Sequence, residues 1–360
     1  MRNKVVFFPM LSQMTGNPYW TMLASGLKDA GVEVVEEPEC YKIGWLFKHR
    51  KLIDIIHIHY FQSLYCNSSH TRARLIYVLR LTIYLILARL LGYRTVLTLH
   101  NLEPTNALKP AWVDYLGHWV AVNLTERVIV HCKEAGRKAK ARYGRGSGIY
   151  VVSHPNFIGK YSNAITKEDA QKRLGILENH RVFLFLGGIR PNKGIEMLVD
   201  AFKSLTEEPC VLVIAGNPGA QKAYAENLQF LSESDKRIKL FFYFIPDDDL
   251  QYFFNASDIV VLPFAKILTS GSAILAMSFS RPVIAPRMGC LPELLEPDCG
   301  WLYDPGSLDS LKAVMQSSLI SNSLEKGTNA FQKISDNSIK RFASQTCESY
   351  GILKSKMDNK

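Results

Sequence analysis

The 360-residue chain has no paired C-x-x-C, and its seven cysteines (Cys40, Cys66, Cys132, Cys210, Cys290, Cys299, Cys347) are odd in number and widely spaced. Such spacing suggests neither a disulfide framework nor a zinc site, and it fits a reducing cytoplasm. The opening MRNKVVFFPMLSQ is too short in its apolar run for a signal peptide, because Pro9 and the polar residues after it interrupt the run, so it reads as a first β-strand. No stretch is low in complexity. With 47% hydrophobic and 21% charged residues the composition is globular, which sets disorder aside. Acidic residues are the scarcer sign, 33 against 43 Lys and Arg, for a net charge of +10. That surplus attracts anions: nucleic acid, an anionic bilayer or phosphorylated small molecules. There is no zinc-finger spacing, RNP-type aromatic motif or basic zipper, and the basic residues are scattered, so nucleic acid is not expected as a partner.

What is present is length enough for two domains, each with its own core. Short β-branched or aromatic runs alternate with helical segments: Lys4 to Phe8, a turn and a helix from about Tyr19 to Ala30, then Val32 to Val35, Ile53 to His59, Arg94 to His100, Glu126 to His131 and Gly148 to Val152. The runs at 53–59 and 94–100 are apolar on both faces, as buried parallel strands are. The scheme restarts at Arg181 with VFLFLGGI, followed by an amphipathic helix from Gly194 to Leu205. Further strands are expected at Val211 to Ala215, Ile238 to Phe242, Ile259 to Pro263 and Pro282 to Ala285, with helices between them, including Asp247 to Asn255 and Ala273 to Phe279. Alternation of this kind predicts an α/β chain of doubly wound sheets. Apolar periodicity lapses between Gly159 and Ala170, where the domain boundary is placed. A last helical region, Leu324 to Met357, is expected to cross back onto the first domain.

The helix from Arg72 to Leu91 is nearly all apolar, but Arg80 and Arg89 interrupt it. A bilayer-spanning helix needs about 20 apolar residues. A basic, apolar helix of this kind suits either the surface of an anionic membrane or a packed position with its arginines snorkelling to the edges, and the sequence leaves both open.

Two stretches carry chemistry. In FLGGIRPNKGIEMLVDAF, Phe185 to Phe202, two glycines including Gly188 follow a buried strand, and Arg190 and Lys193 stand at the start of the next helix. Glycines admit a ligand close to the backbone, the helix amino end favours an anion, and Arg and Lys supply bidentate and point-charge contacts, which together suit a diphosphate. Two solvated basic residues at a βα turn would look the same. The glycine spacing is neither a Walker A loop nor a Rossmann fingerprint. In the second stretch, Pro263 to Leu295, a strand is followed by the turn Thr269, Ser270, Gly271, Ser272 and a helix whose free amides could bind an anion, although capping alone would also explain the hydroxyls. Two anion-seating turns at the carboxyl ends of strands in one domain are what raise the functional reading. Asn217, in Gly216-Asn217-Pro218, could flank them.

The early NPYW (Asn17 to Trp20), Thr98, His100 and Asn101, the IRPNKG run, DIVVLPF (Asp258 to Phe264) and RPVIAPRMGCLPELL (Arg281 to Leu295) together resemble the GT-B glycosyltransferases over most of the chain. The resemblance implies two Rossmann-like domains facing an interdomain cleft: an acceptor-binding domain at 1–165, a nucleotide-sugar donor-binding domain at 166–335, and a C-terminal helix within 336–360 returning to the first. By the same resemblance Arg190 and Lys193 hold the donor diphosphate, the turn at Ser270 to Ser272 seats phosphates or sugar, and Glu293 lies beside the donor. The chain departs from the retaining members in one respect. Where they carry two glutamates flanking the turn, it has Ile267 and Leu275. A Thr-Ser-Gly-Ser turn in that place resembles the bacterial enzymes of exopolysaccharide biosynthesis that move mannose from GDP-mannose onto a polyprenyl-linked glycolipid acceptor, and it favours inversion.

An inverting transfer needs a base for the acceptor hydroxyl. The candidates are His100 and Glu103, which follow a buried strand of the first domain; each also has a purely structural reading. His57 and His59 share a strand face as a metal pair could, but no third ligand follows at suitable spacing, and no metal or cofactor beyond the nucleotide-sugar co-substrate is expected. The expected enzyme is thus a hexosyltransferase, peripheral on the inner face of the cell membrane. The alternatives are a retaining transferase with a UDP-sugar donor and a catalytically inactive GT-B binding partner.

Overall fold

The computed structural model describes residues 3–14, 16–64, 70–104, 108–205 and 209–352. The chain divides into two compact units, residues 1–155 with 337–360, and residues 156–336.

In chain order the first unit contains β1 (Lys4–Phe8), α1 (Pro18–Asp29), β2 (Glu33–Val35), α2 (Ile43–His49), β3 (Ile55–Ile58), α3 (Thr71–Leu90), β4 (Arg94–Thr98), α4 (Ala111–Leu124), β5 (Arg127–Val130), α5 (Lys133–Tyr143) and β6 (Ile149–Val151). All its strand pairs are parallel, in the order β2-β1-β3-β4-β5-β6. The second unit contains α6 (Lys167–Arg173), β7 (Arg181–Leu186), α7 (Ile195–Lys203), β8 (Cys210–Ala215), α8 (Lys222–Ser232), β9 (Ile238–Phe241), α9 (Leu250–Ala256), β10 (Ile259–Val261), α10 (Gly271–Ser278), β11 (Val283–Pro286), α11 (Leu291–Leu295), β12 (Gly300–Tyr303), α12 (Leu308–Leu319) and α13 (Ser323–Ser335). Its sheet is also parallel, ordered β12-β11-β10-β7-β8-β9. In both sheets strand order reverses beside the first strand, between β1 and β3 and between β7 and β10. At such a switch point the adjoining loops leave to opposite faces and open a crevice at the strands' carboxyl ends.

The elements form for the reasons the sequence suggests. In β7 and β8 the central residues are buried on both faces, so near-continuous apolar runs are required. α7 buries Ile195, Leu198, Val199, Ala201 and Phe202, at the spacing of one helical face, against the second core. At the start of α1, Asn17 accepts a hydrogen bond from Tyr19 N at 3.0 Å and Pro18 occupies the first helical position, so NPYW is in part a capping motif.

Three details differ from the sequence reading. The division falls at 155/156, ten residues before the boundary placed at 165/166. The intervening segment is tied to the second unit by polar bonds that leave no apolar period: Asn156 Nδ2 donates to Ile334 O (2.8 Å) and Asn255 Nδ2 to Ile165 O (2.8 Å). The last helical region is broken into α13 and α14 (Ile339–Ser349) at residues 336–338, where Ser338 caps α14. α14 packs on α1 in the first unit, at a contact close enough that a Cβ on Gly26 would lie 2.8 Å from Ala343 Cβ. Residues 353–357 of the expected helix lie outside the described residues. β12 was not foreseen, because GWLY is short and only partly buried.

α3 buries Val78, Leu81, Tyr84, Leu85 and Ala88 and leaves Ile76, Leu79, Ile83, Ile86 and Leu90 exposed. Steps of three and four residues put the exposed set in one stripe. Arg80 and Arg89 are exposed, whereas Arg74 is buried and pairs with Asp114 of α4 while also donating to Leu108 O (3.3 Å) and Lys109 O (3.2 Å). Among the described residues no helix is long and apolar enough to cross a membrane.

Candidate functional site

At the β7/β10 switch point, the loops leaving the sheet are joined through their backbones. Gly187 N donates to Ala215 O (3.0 Å), Ile189 N to Asn217 O (3.2 Å), Ala265 N to Asn192 O (3.4 Å), and Cys290 N to Leu268 O (2.7 Å). Glycine makes this approach possible. Gly194 has φ +68° and a Cβ there would overlap Pro263 O, while Gly216 would overlap Gly187 O. The segments after β7, β8, β10 and β11 therefore form one continuous rim.

Arg190 and Lys193 stand on that rim. Arg190 is exposed, and its Nε lies 3.4 Å from where a Cβ on Gly188 would be, so this glycine leaves the guanidinium room to fold back over the loop. Lys193 is half-buried, with Nζ 4.6 Å from the centre of the Phe264 ring. Burial, and after it the Arg190 charge, hold the Lys193 ammonium below its ordinary pKa. Among the described residues neither cation has a carboxylate within 4.0 Å. Two neighbouring positive charges, one partly desolvated and neither neutralised, favour an anion.

From the same rim α10 begins. Ser270 is buried and its Oγ accepts from Ala273 N at 3.1 Å, so it is the N-cap and its hydroxyl is committed to that role. Gly271 and Ser272, both half-buried, supply first-turn amides that have no intrahelical acceptor. Thr269 Oγ1 lies 3.7 Å from Cys290 Sγ. Asn217 is exposed, and its Oδ1 accepts from Gly219 N at 2.8 Å, closing its own turn. Glu293 is exposed in the first turn of α11. All nine residues thus belong to the second unit and follow the carboxyl ends of its strands.

In the first unit, the carboxyl ends of β3 to β6 gather five histidines around Tyr19. The ring of Tyr19 lies 5.4 Å from that of His100, 5.6 Å from His131, 5.1 Å from His154 and 6.3 Å from His59; His57 lies 4.0 Å from His59. Both His57 nitrogens are taken by hydroxyls, Tyr350 at 2.6 Å and Thr98 at 2.7 Å, so neither is left for a metal. His131 Nδ1–H donates to Val152 O (2.9 Å), which leaves Nε2 as the acceptor facing Tyr19 OH at 3.4 Å. Burial pushes His57 down to about 3, His131 to about 4 and His154 to about 3. Burial and the neighbouring imidazoles hold His59 and His100 well below the usual histidine range. The imidazoles are therefore neutral at physiological pH.

Of the two catalytic candidates, His100 belongs to this cluster: its Nε2 is 3.3 Å from His59 Nδ1 and its ring stacks on Tyr60 at 5.1 Å. Glu103 is on the surface, 2.8 Å from Arg142. Tyr19 and Phe264 were not singled out from the sequence, and His59 was weighed there only as half of a metal pair with His57. Tyr19 had a signal in NPYW, where the Asn-Pro start fixes how its helix begins. Phe264 had none, since a buried aromatic beside a strand end reads as core.

Residues 166–338 match the family model of the glycosyl transferases group 1. A GDP-mannose:glycolipid 4-beta-D-mannosyltransferase of Xanthomonas campestris pv. campestris is 26% identical over 331 residues, covering 87% of this chain and 85% of that protein. Among solved structures, Anabaena HepE in complex with UDP aligns with TM-score 0.73 at 17% identity, covering 98% of this chain and 100% of that one. A sucrose-phosphate synthase from Thermosynechococcus elongatus aligns with TM-score 0.75 at 18% identity, covering 97% and 98%.

Proposed function

Since residues 166–338 are a glycosyl transferases group 1 domain and the two parallel sheets have the GT-B fold, the chain is a glycosyltransferase, and we propose that it moves mannose from GDP-mannose to a lipid-linked acceptor in exopolysaccharide assembly. The observation that carries the donor half is the pair Arg190 and Lys193, without carboxylate partners among the described residues, at the β7/β10 switch point. In this reading the two cations and the amino end of α10 hold the diphosphate and stabilise the charge that develops on it as the bond to the anomeric carbon breaks. The hydroxyls of Thr269 and Ser272, with Asn217 and Glu293, face the sugar and nucleoside.

His100 is the base in this reading. Its neutral imidazole takes the proton of the acceptor hydroxyl as the oxygen attacks the anomeric carbon, and the nucleoside diphosphate leaves. The Glu103 carboxylate, already neutralised by Arg142, is the weaker candidate. A neutral Thr-Ser-Gly-Ser turn where two carboxylates would otherwise stand supports inversion, and no resident metal is called for. The exposed apolar stripe of α3, with Arg80 and Arg89 along it, supports peripheral contact with an anionic membrane, where a lipid-linked acceptor resides.

The test is transfer by the purified protein from labelled GDP-mannose, UDP-glucose and related donors to a polyprenyl-linked lipid extract. GDP-mannose is expected to label the lipid phase. Arg190→Ala is expected to lower kcat/KM about 10- to 100-fold, the value of one charge-assisted contact. Labelling from a UDP-sugar but not from GDP-mannose would refute the donor, and an unaffected Arg190→Ala would refute the site.

A further inference from the structure

The opposite end of the second sheet holds a cavity unconnected with the loops described above. Arg181 opens β7, Asp258 immediately precedes β10 and Arg281 precedes β11, so in this parallel sheet all three lie at the amino-terminal edge. With Lys167 and the first residues of α13 they line a cavity of 340 Å³.

Its charges do not balance. Three cations face one carboxylate, and Asp258 is committed: Oδ1 is 2.6 Å from Lys167 Nζ and 3.8 Å from Arg181 Nη1, and Oδ2 accepts from Val182 N at 2.9 Å. Arg181 spends further donors on Ser323 Oγ and Leu319 O, each at 2.8 Å. Arg281 is left over. One Nη2 bond reaches Asn255 Oδ1 at 3.2 Å, its buried Nε has no hydrogen-bond partner, and among the described residues no carboxylate lies within 4.0 Å of it. Burial holds its guanidinium below the ordinary arginine pKa against the raising effect of Asp258. A buried N–H donor without an acceptor, on a cation with no carboxylate in ion-pair contact among the described residues, is costly unless something supplies both.

The cavity also meets the amino end of α13, a helix of 13 residues whose N-cap Asn322 accepts from Glu325 N at 3.2 Å. The amides of Ser323 and Leu324 belong to the turn that has no intrahelical acceptors. The chain approaches this corner tightly: a Cβ on Gly327 would overlap Ser280 O, and Ser280, next to Arg281, has φ +57°. Three basic side chains, an orphan guanidinium N–H and a helix amino end around a small cavity are complementary to a tetrahedral oxyanion carrying about two charges.

We propose that this cavity is a second anion site, binding the phosphate group of a small phosphorylated molecule or free phosphate through Arg281, Arg181, Lys167 and the amino end of α13. It is separate from the donor loops and does not depend on them. Phosphate seated here would tie α13 to the starts of β7, β10 and β11, and so stabilise the unit that carries the donor loops.

The test is thermal unfolding of the full chain with increasing phosphate, against chloride at equal ionic strength, in the parent and in Arg190→Ala. The Arg190→Ala background removes the guanidinium that phosphate would seek in the donor site. A saturable rise of about 3–5 °C at ten times Kd is expected in both proteins. The rise is expected to vanish in Arg281→Gln and to weaken in Lys167→Gln, the milder change should the first not fold. Repeating the titration with a hexose phosphate separates the sources: stabilisation at lower concentration than phosphate points to a metabolite, and equal stabilisation points to free phosphate. No saturable rise in Arg190→Ala, or a rise that survives both substitutions, overturns the proposal.

Discussion

Acidification is expected to destabilise the first unit before its carboxylates protonate. His57 and His118 are wholly buried and His131 is 7% exposed; their folded pKa values are pushed down to about 3, 4 and 4 by burial. In the unfolded chain each titrates near 6.5. Between those values the unfolded state binds the proton and the folded state does not, so stability is intact above pH 6.5 and falls with pH down to the folded pKa. Each histidine then costs about 1.4 kcal/mol per pH unit below 6.5, or roughly 4 kcal/mol for the three at pH 5.5 and roughly 8 kcal/mol at pH 4.5. A domain near the lower end of the usual range of about 5–15 kcal/mol is then expected to unfold near pH 5. Trp20, whose ring lies 4.5 Å from that of His59, makes tryptophan fluorescence a direct probe of the cluster. The assay is urea unfolding followed by fluorescence at pH 7.5, 6.5, 6.0 and 5.5. The pH slope should fall by about one proton in His57→Asn. A urea midpoint that stays constant from pH 7.5 to 5.5 would refute the reasoning, since it would mean that these imidazoles are not held neutral.

The remaining expectations concern single sites. Lys193→Met removes a half-buried cation that has no carboxylate partner among the described residues, so it should raise the melting temperature while weakening donor binding at least about tenfold, and a loss of both would show that the lysine serves packing. Arg74→Ala leaves the Asp114 carboxylate buried without its guanidinium between α3 and α4, and about 3–5 kcal/mol of stability should be lost in chemical denaturation. Binding to anionic vesicles should weaken with salt and with Arg80→Glu combined with Arg89→Glu, while neutral vesicles bind poorly in every case. Indifference of vesicle sedimentation to both changes would leave the α3 stripe without a membrane role.

The sequence by itself determined the backbone plan and placed the glycine- and cation-bearing loops at strand ends. Runs such as VFLFL and CVLVIA have no polar residue to spare for a solvated face, so they must be buried parallel strands, and the glycines and basic residues after VFLFLGG stand where such a strand ends. Capping was equally local: Asn17, Ser270 and Ser338 each act within three residues of themselves. Tertiary structure decided what depends on partners distant in sequence. Nothing in the IRPNKG run states that Lys193 rests on Phe264, 71 positions away, or that Arg190 and Lys193 have no carboxylate beside them among the described residues, because absence of a partner is a property of every neighbour at once. HIHY could not reveal that His57 and His59 join a cluster with residues 100, 131 and 154, since only the parallel order β3-β4-β5-β6 aligns those strand ends. Likewise Arg181, Asp258 and Arg281 begin three different strands, and the sheet order alone makes them neighbours around one cavity. Local chemistry is written in adjacent residues; the neutral or charged state of a group is set by burial and by charges that the fold brings together.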